Sequence, residues 1–123
     1  MEELLEKLQS LKNKNILIIV EGKNDAKALE YFGIKRILAI QGKALYEVID
    51  NAENEKEVCI LTDLDEEGKK LYGTLQHQLA QRGVVVDNTF RHFLFKKTKL
   101  RHIEGLITYV KHHELLTFKN IQV

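Results

Sequence analysis

The order of apolar and polar positions along the chain predicts an alternation of helices and strands. Leucines at helical spacing between residues 4 and 11 predict an amphipathic helix over residues 2–13. Four short apolar runs rich in β-branched residues then predict buried strands, and these lie at residues 16–20, 36–40, 57–62 and 84–86. The stretches between them place apolar residues on one helical face, and two of these helices are expected to end at Gly33 and Gly83.

Strands that alternate with helices at this spacing predict a parallel sheet, because consecutive parallel strands need a crossover connection. Right-handed crossovers then place helices on both faces of the sheet. We therefore expect an α/β fold, with a Rossmann-like, open, parallel four-stranded sheet flanked by helices on both faces. Beyond Asp87 the pattern weakens, and only a last helix with four inward-facing residues is expected: Ile103, Leu106, Ile107 and Val110.

Length and composition narrow the class of protein. A chain of 123 residues with 44% hydrophobic content has the size of one compact domain, so we expect a single domain over residues 1–123. No apolar run approaches the roughly 20 residues that a membrane helix needs, and the first residues lack a secretion signal. These patterns favour a cytoplasmic protein without a membrane span. Cys59 lies in an apolar run and is expected to pack as a small hydrophobic residue.

Charge is distributed unevenly along the chain. Residues 1–88 hold 12 Lys+Arg and 16 Asp+Glu, a net of −4, whereas residues 89–123 hold 7 and 2, a net of +5. A basic segment of this kind is a candidate surface for phosphate groups, although it can equally be a solvated face. The candidate nucleic-acid contacts within it are Arg91, Lys96, Lys97, Lys99 and Arg101.

Acidic residues follow two of the predicted strands. Glu21 comes directly after the first strand, and Asp63 comes directly after the third, with Asp65 and Glu67 at alternate positions beyond it. Function in open parallel sheets collects at the carboxyl ends of the strands, so these side chains are expected to converge. Converging carboxylates repel one another unless a proton or a cation compensates. Oxygen ligands suit Mg²⁺, with Mn²⁺ as the alternative.

Individual residues in this set have simpler explanations as well. Asp65 is also a good N-cap for the helix that follows it, and Glu21 alone is also consistent with an ordinary loop acid. Lys23 is also consistent with a solvated lysine in the first turn of a helix. The grouping is harder to explain in this way, because both acidic loops leave the same edge of the sheet.

These motifs resemble the Toprim domain, which bacterial-type primases, type IA and type II topoisomerases, ribosomal-RNA maturation nucleases and recombination-repair proteins share. The first mark is the glutamate of Val20-Glu21-Gly22-Lys23, and the second is Asp-x-Asp-x-Glu, found here over residues 63–67. The resemblance covers about residues 15–95. It leaves the N-terminal helix outside, together with a basic C-terminal extension over residues 96–123. The chain looks most like the maturation nucleases and the small stand-alone Toprim proteins of bacteria and archaea.

The resemblance implies a role for each acid. Glu21 would act as general acid or base, while Asp63, Asp65 and Glu67 would hold Mg²⁺, and Lys23 would meet a phosphate. Topoisomerases commonly have proline between the two aspartates and a further glutamate after the glycine, where this chain has Leu64 and Lys69. Strand passage is therefore not expected from this chain alone.

Two functions remain open at this stage. The first is a Mg²⁺-dependent enzyme or enzyme module that acts on phosphodiester bonds of RNA or DNA, foremost a nuclease. The second is a non-catalytic module that retains the metal site and binds nucleic acid or a protein partner. A phosphorelay receiver fits less well, because it needs a pair of acids after the first strand and only Glu21 lies there.

Overall fold

The computed structural model describes the backbone of residues 1–122 and the side chains of residues 1–114. The strands are β1 Leu17–Val20, β2 Ile37–Ala39, β3 Glu57–Leu61 and β4 Val85–Val86. The helices are α1 Glu2–Lys14, α2 Lys23–Tyr31, α3 Leu45–Ala52, α4 Glu66–Gln81, α5 Thr89–Lys97 and α6 Leu106–Gln122. A 3₁₀ turn, Ile103–Gly105, precedes α6.

The four strands form one parallel sheet in the order β2-β1-β3-β4. β1 and β3 therefore lie side by side at its centre, with Ile19 opposite Ile60 and Val20 opposite Leu61. This register brings the carboxyl ends of the two central strands to the same point on one edge. The acidic loops that follow β1 and β3 are neighbours for this reason.

Two apolar clusters cover the two faces of the sheet. Alternation along the strands sends Ile18 and Cys59 to one face, where they pack with residues of α1, α2, α5 and α6. Ile19 and Ile60 point to the other face and pack against α3 and α4. Helices on both faces of an open parallel sheet confirm the predicted α/β architecture. Burial raises the pKa of the Cys59 thiol to about 12, as expected for an unreactive core cysteine.

The segment after β4 differs from its sequence-based interpretation. Residues 89–97 form the helix α5, with Phe90 and Leu94 buried in the core. Aromatic and basic residues are mixed in this segment, so its apolar positions do not repeat clearly at helical spacing. For this reason the sequence pattern did not predict α5. The expected last helix exists, although Ile103 lies in the preceding 3₁₀ turn. Among the helices that the structure describes, none is long and apolar enough to span a bilayer.

An ion-pair cluster joins the end of α1 to the first residue of β3 and to the residue that follows β4. This cluster makes the stability of the fold depend on pH. Lys14 Nζ lies 2.9 Å from Glu57 Oε2 and 2.6 Å from Asp87 Oδ2. Partial burial acts to raise the pKa of Asp87, but hydrogen bonds from Lys14 and Thr89 outweigh it and hold that pKa below the ordinary 3.8. Hydrogen bonds to Asp87 and Glu57 likewise raise the pKa of Lys14 above 10.5.

We expect Lys14→Met to lower the free energy of unfolding at pH 7 by about 1 kcal/mol, since such partly exposed pairs contribute little more. A carboxyl with a lowered pKa in the folded state stabilises above its unfolded pKa and loses this effect as the pH falls through its folded value. The difference in the free energy of unfolding between the wild type and Lys14→Met should therefore shrink below about pH 4. It should also shrink above about pH 10.5, because the Lys14 pKa is raised. Urea titrations at several pH values would measure it, with Lys43→Met as the control. A constant difference from pH 3 to 8 would contradict this assignment.

Candidate functional site

The loop after β1 and the loop after β3 meet through Glu21 and Asp63. The backbone N–H of Asp63 donates a hydrogen bond to Glu21 Oε2, at 2.6 Å. Glu21 is partly buried, and this burial raises the pKa of its carboxyl above its usual range. The hydrogen bond from Asp63 opposes the rise, and repulsion from the carboxylates of Asp63, Asp65 and Asp25 adds to it. Burial also raises the pKa of Asp25, but Glu21 is the acid with a raised pKa that contacts the Asp63 backbone, and it is therefore suited to carry a proton beside that loop.

Asp63 is held in place from the C-terminal part of the chain. Its Oδ1 accepts a hydrogen bond from the backbone N–H of Ile103 at 2.9 Å, and its Oδ2 lies 3.2 Å from His102 Nδ1. The carboxylate is only 16% exposed. The hydrogen bond to Asp63 also raises the pKa of His102. The orientation of this central acid thus depends on residues about 40 positions further along the chain.

Asp65 serves two purposes at once. As the N-cap of α4, its Oδ1 accepts a hydrogen bond from the backbone N–H of Gly68 at 2.8 Å. Its Oδ2 lies 4.0 Å from His102 Nδ1, on the side of Asp63. Helix capping therefore accounts for one oxygen of Asp65, and the other oxygen faces the acidic site.

Glu67 lies apart from these donors. Within the described part of the chain, the side chains whose ligand atoms lie within 4.8 Å of one another are Asp63, Asp65 and His102. Glu67 is the second residue of α4 and is exposed. His102, which directly precedes the 3₁₀ turn, is the third residue of this group. The role of Glu67 as a metal ligand stays a prediction.

The donor atoms fit a divalent cation. His102 Nδ1 lies 3.2 Å from Asp63 Oδ2 and is hydrogen-bonded to it, so a cation bound by both atoms would displace the proton of that hydrogen bond. Carboxylate oxygens suit divalent cations such as Mg²⁺ and Mn²⁺. The carboxylates of Asp63 and Asp65, which lie close together, are therefore of the chemical type that holds a divalent cation.

Lys23 is the first residue of α2 and follows Glu21 by two positions. Its backbone N–H donates to Gln41 Oε1 at 3.3 Å, and its side chain is exposed. A charged groove of about 450 Å³ runs beside the acids and is lined by residues that include Glu21, Lys23, Lys27, Asp63 and Glu104. A phosphate in this groove would lie within reach of both lysines.

Arg91 does not belong with the exposed basic residues. It is 7% exposed, and its guanidinium donates hydrogen bonds to the backbone carbonyls of Thr62 and Asp63, the latter at 3.2 Å. It also lies over the rings of Tyr72 and Phe95. The guanidinium donors of Arg91 are thus used within the protein, and its contact with phosphate stays a prediction. Arg91 positions the backbone of Asp63.

The remaining basic residues are exposed. Lys96, Lys97 and Lys99 line a groove of about 410 Å³ between the end of α5 and the start of α6. The Arg101 side chain is exposed, and its guanidinium donates to the carbonyl of Leu100, while its own carbonyl accepts from Leu64 N–H at 2.8 Å. The side chains of the expected basic extension beyond residue 114 lie outside the described residues.

The fold and these side chains together define a class: a Rossmann-like α/β protein with an acidic, metal-type site at the carboxyl edge of its central strands. The chain belongs to the Toprim domain family, whose pattern matches residues 16–98. This match confirms the resemblance that the paired acidic motifs indicated.

Individual relatives extend the comparison beyond the family pattern. The chain is 35% identical to the UPF0292 protein of Methanocaldococcus jannaschii over 116 residues, covering 89% of this chain and 91% of that protein. A solved structure of a protein from Aquifex aeolicus superposes with a TM-score of 0.75 at 38% identity and covers 81% of this chain and 94% of that one. The DNA primase DnaG of Thermoplasma volcanium is 33% identical over 67 residues, which are 54% of this chain and 15% of the primase.

Proposed function

We propose that this chain is a divalent-metal-dependent enzyme that acts on phosphodiester bonds of nucleic acid, as a nuclease or nuclease module. The observation that carries the proposal is the contact between Glu21 and the Asp63 backbone. It places a partly buried carboxyl with a raised pKa beside a cation-type donor set. Similarity to the Toprim region of a DNA primase supports nucleic acid as the substrate class.

In this proposal, different residues would bind the metal, transfer the proton and contact the phosphates. Asp63 and Asp65 would hold Mg²⁺ or Mn²⁺ with His102 beside them, and the bound ion would supply charge stabilisation at the phosphate. Glu21 would move a proton at the attacking water or the leaving oxygen. Lys23 would meet the phosphate from the charged groove. Lys96, Lys97, Lys99 and Arg101 would contact phosphates further along the strand.

We expect the purified protein to cleave structured RNA or DNA when Mg²⁺ or Mn²⁺ is supplied, and to lose this activity with a chelator. Glu21→Gln should lower the rate by about 10²-fold or more, the usual contribution of general acid–base catalysis. Asp63→Asn should lower both the rate and the affinity for Mn²⁺, because the amide lacks the negative charge of the carboxylate. Gel assays of labelled strands and isothermal titration with Mn²⁺ would measure the two effects.

Exposed acids far from the site provide matched controls, namely Glu30→Gln on α2 and Asp50→Asn on α3, which should leave cleavage unchanged. Cleavage that persists at the wild-type rate in both site variants would overturn the catalytic proposal. The exposed lysines in the last turn of α5 and just beyond it favour the second function, a binding module. Salt-sensitive binding that persists without metal, weakens when Lys96, Lys97 and Lys99 are replaced, and occurs without cleavage would establish that function instead.

A further inference from the structure

A second groove, of about 440 Å³, borders the Asp63–Asp65 loop between α4 and α5. We name it the aromatic groove. Its apolar and aromatic lining comes from Leu64, Tyr72 and Phe95, and its polar lining includes Asn88, His92 and Lys96. Leu64 lines the aromatic groove and Asp63 lines the charged groove, so both grooves border the same acidic loop.

The aromatic groove is built on a fixed support. The guanidinium carbon of Arg91 lies 4.6 Å from the centroid of the Tyr72 ring and 5.0 Å from that of Phe95, within the range of cation–π attraction. Because Arg91 is itself bonded to the carbonyls of Thr62 and Asp63, the two rings are tied to the backbone of the acidic loop. The position of the groove relative to the acids is therefore set by the fold.

The lining identifies the kind of ligand that fits. Aromatic rings beside hydrogen-bonding side chains suit a flat, partly polar group such as a nucleobase, which stacks on a ring and is bonded at its edge. Among the described residues that line the groove, Lys96 and Arg91 are cationic and none is acidic. This charge complements an anionic strand, whereas an apolar peptide side chain would leave Asn88 and His92 without partners.

The location of the groove connects it with the site. Leu64, which lines the groove, lies between Asp63 and Asp65 in the chain. A base bound there would bring the phosphate next to it toward the two carboxylates. A base within a duplex cannot enter such a groove unless it leaves its stack, which costs a few kcal/mol.

We propose that the aromatic groove binds one unpaired nucleobase of the strand whose phosphodiester lies at the acidic site. The inference rests on the proposed function and deepens it, since it makes single-stranded or unpaired nucleic acid the substrate class. Double-stranded regions without a bulge or loop would then be poor ligands.

The test measures the affinity of fluorescent oligonucleotides of about 12 nucleotides, a length typical of single-strand sites, by fluorescence anisotropy. Single strands and matching duplexes of DNA and RNA are compared, with Ca²⁺ in place of Mg²⁺ to keep them intact. We expect the single strand to bind more tightly than the duplex. Tyr72→Leu should weaken single-strand binding by about tenfold, the usual effect of one lost stacking interaction.

Matched variants separate this effect from loss of the fold. Tyr46→Leu replaces a tyrosine that is 68% exposed on α3 and lines neither groove, and it should change the affinity less than twofold. His92→Glu places a negative charge on an exposed lining residue and should weaken binding several-fold, whereas His77→Glu, exposed on α4, should not. Thermal unfolding of each variant verifies folding.

The outcomes distinguish this inference from the proposed function. If the wild-type protein binds single strands and the Tyr72→Leu and Tyr46→Leu variants bind them equally well, the groove assignment is overturned and the proposed function still stands. Equal affinity of the wild-type protein for single strand and duplex would have the same consequence. Absence of binding to every oligonucleotide, with Mn²⁺ binding retained, would overturn both. A photo-crosslink from a single 5-iodouracil to Tyr72, Phe95 or His92 would support the groove directly, and crosslinks confined to α3 would overturn it.

Discussion

Replacing Gly68 by alanine should lower the stability of the protein by about 3 kcal/mol, the upper end of the usual cost of overpacking. An added Cβ at this position would overlap the carbonyl oxygen of Asp63 and would lie 2.7 Å from its carbonyl carbon. These are backbone atoms, so the clash cannot be relieved by rotating a side chain. The loop would have to move, and Asp63 and Asp65 would move with it.

Gly73→Ala is the matched control, because Gly73 lies in the same helix with nothing within 4 Å of an added Cβ. It should raise stability by about 0.5–1 kcal/mol, since alanine favours the helix over glycine. Thermal unfolding should place the two variants on opposite sides of the wild type, with Gly68→Ala about 10 °C or more below it. Mn²⁺ titration should show weaker binding for Gly68→Ala only. Equal melting temperatures for the two variants would show that the close approach at Gly68 is wrong.

The second large effect is expected for Arg91→Met. The variant removes the buried donors from the carbonyls of Thr62 and Asp63, and each buried acceptor left without a partner costs about 1–3 kcal/mol. We expect a loss of about 3 kcal/mol in the free energy of unfolding, measured in urea, together with weaker Mn²⁺ binding because Asp63 is less well positioned. Arg91→Lys should recover only part of this loss, since one ammonium group cannot reproduce the planar guanidinium.

Arg101→Met provides the comparison, because that side chain is exposed and its loss should change stability by less than about 0.5 kcal/mol. The salt dependence of nucleic-acid binding tests the earlier interpretation of Arg91. A residue that contacts phosphate lowers the slope of log K against log salt by about 0.7–0.9 when it is removed. A lowered slope without a loss of stability would show that Arg91 contacts nucleic acid after all.

The sequence predicted those parts of the molecule that depend on local patterns. Buried strands such as 16–20 and their intervening helices are visible in the periodicity of apolar residues, and the order of βα units then dictates a parallel sheet. The order of βα units places Glu21 and Asp63 at the same edge of the sheet, but that β1 and β3 are neighbours is seen only in the structure.

The contacts around the site that the sequence did not reveal depend on tertiary structure. His102 and Asp63 are 39 positions apart, and no local pattern links them. Arg91 is part of a basic run whose composition suggests exposure, yet it is buried against the acidic loop. Glu67 lies in the first turn of α4 and is exposed, and its role as a metal ligand stays a prediction. Gly68 did carry a signal, since glycine is unfavourable in the first turns of a helix unless something approaches closely.

The contacts made by residues 91–103 also determine when the acidic site comes into existence. Both sequence motifs have been synthesised once the ribosome has passed residue 68, but Asp63 and Leu64 obtain their fixed positions from Arg91, Arg101 and Ile103. A nascent chain that ends within β4 would contain every acid predicted from the sequence and none of these supports. The residues that fix the acidic loop are therefore synthesised after the strands that carry its acids.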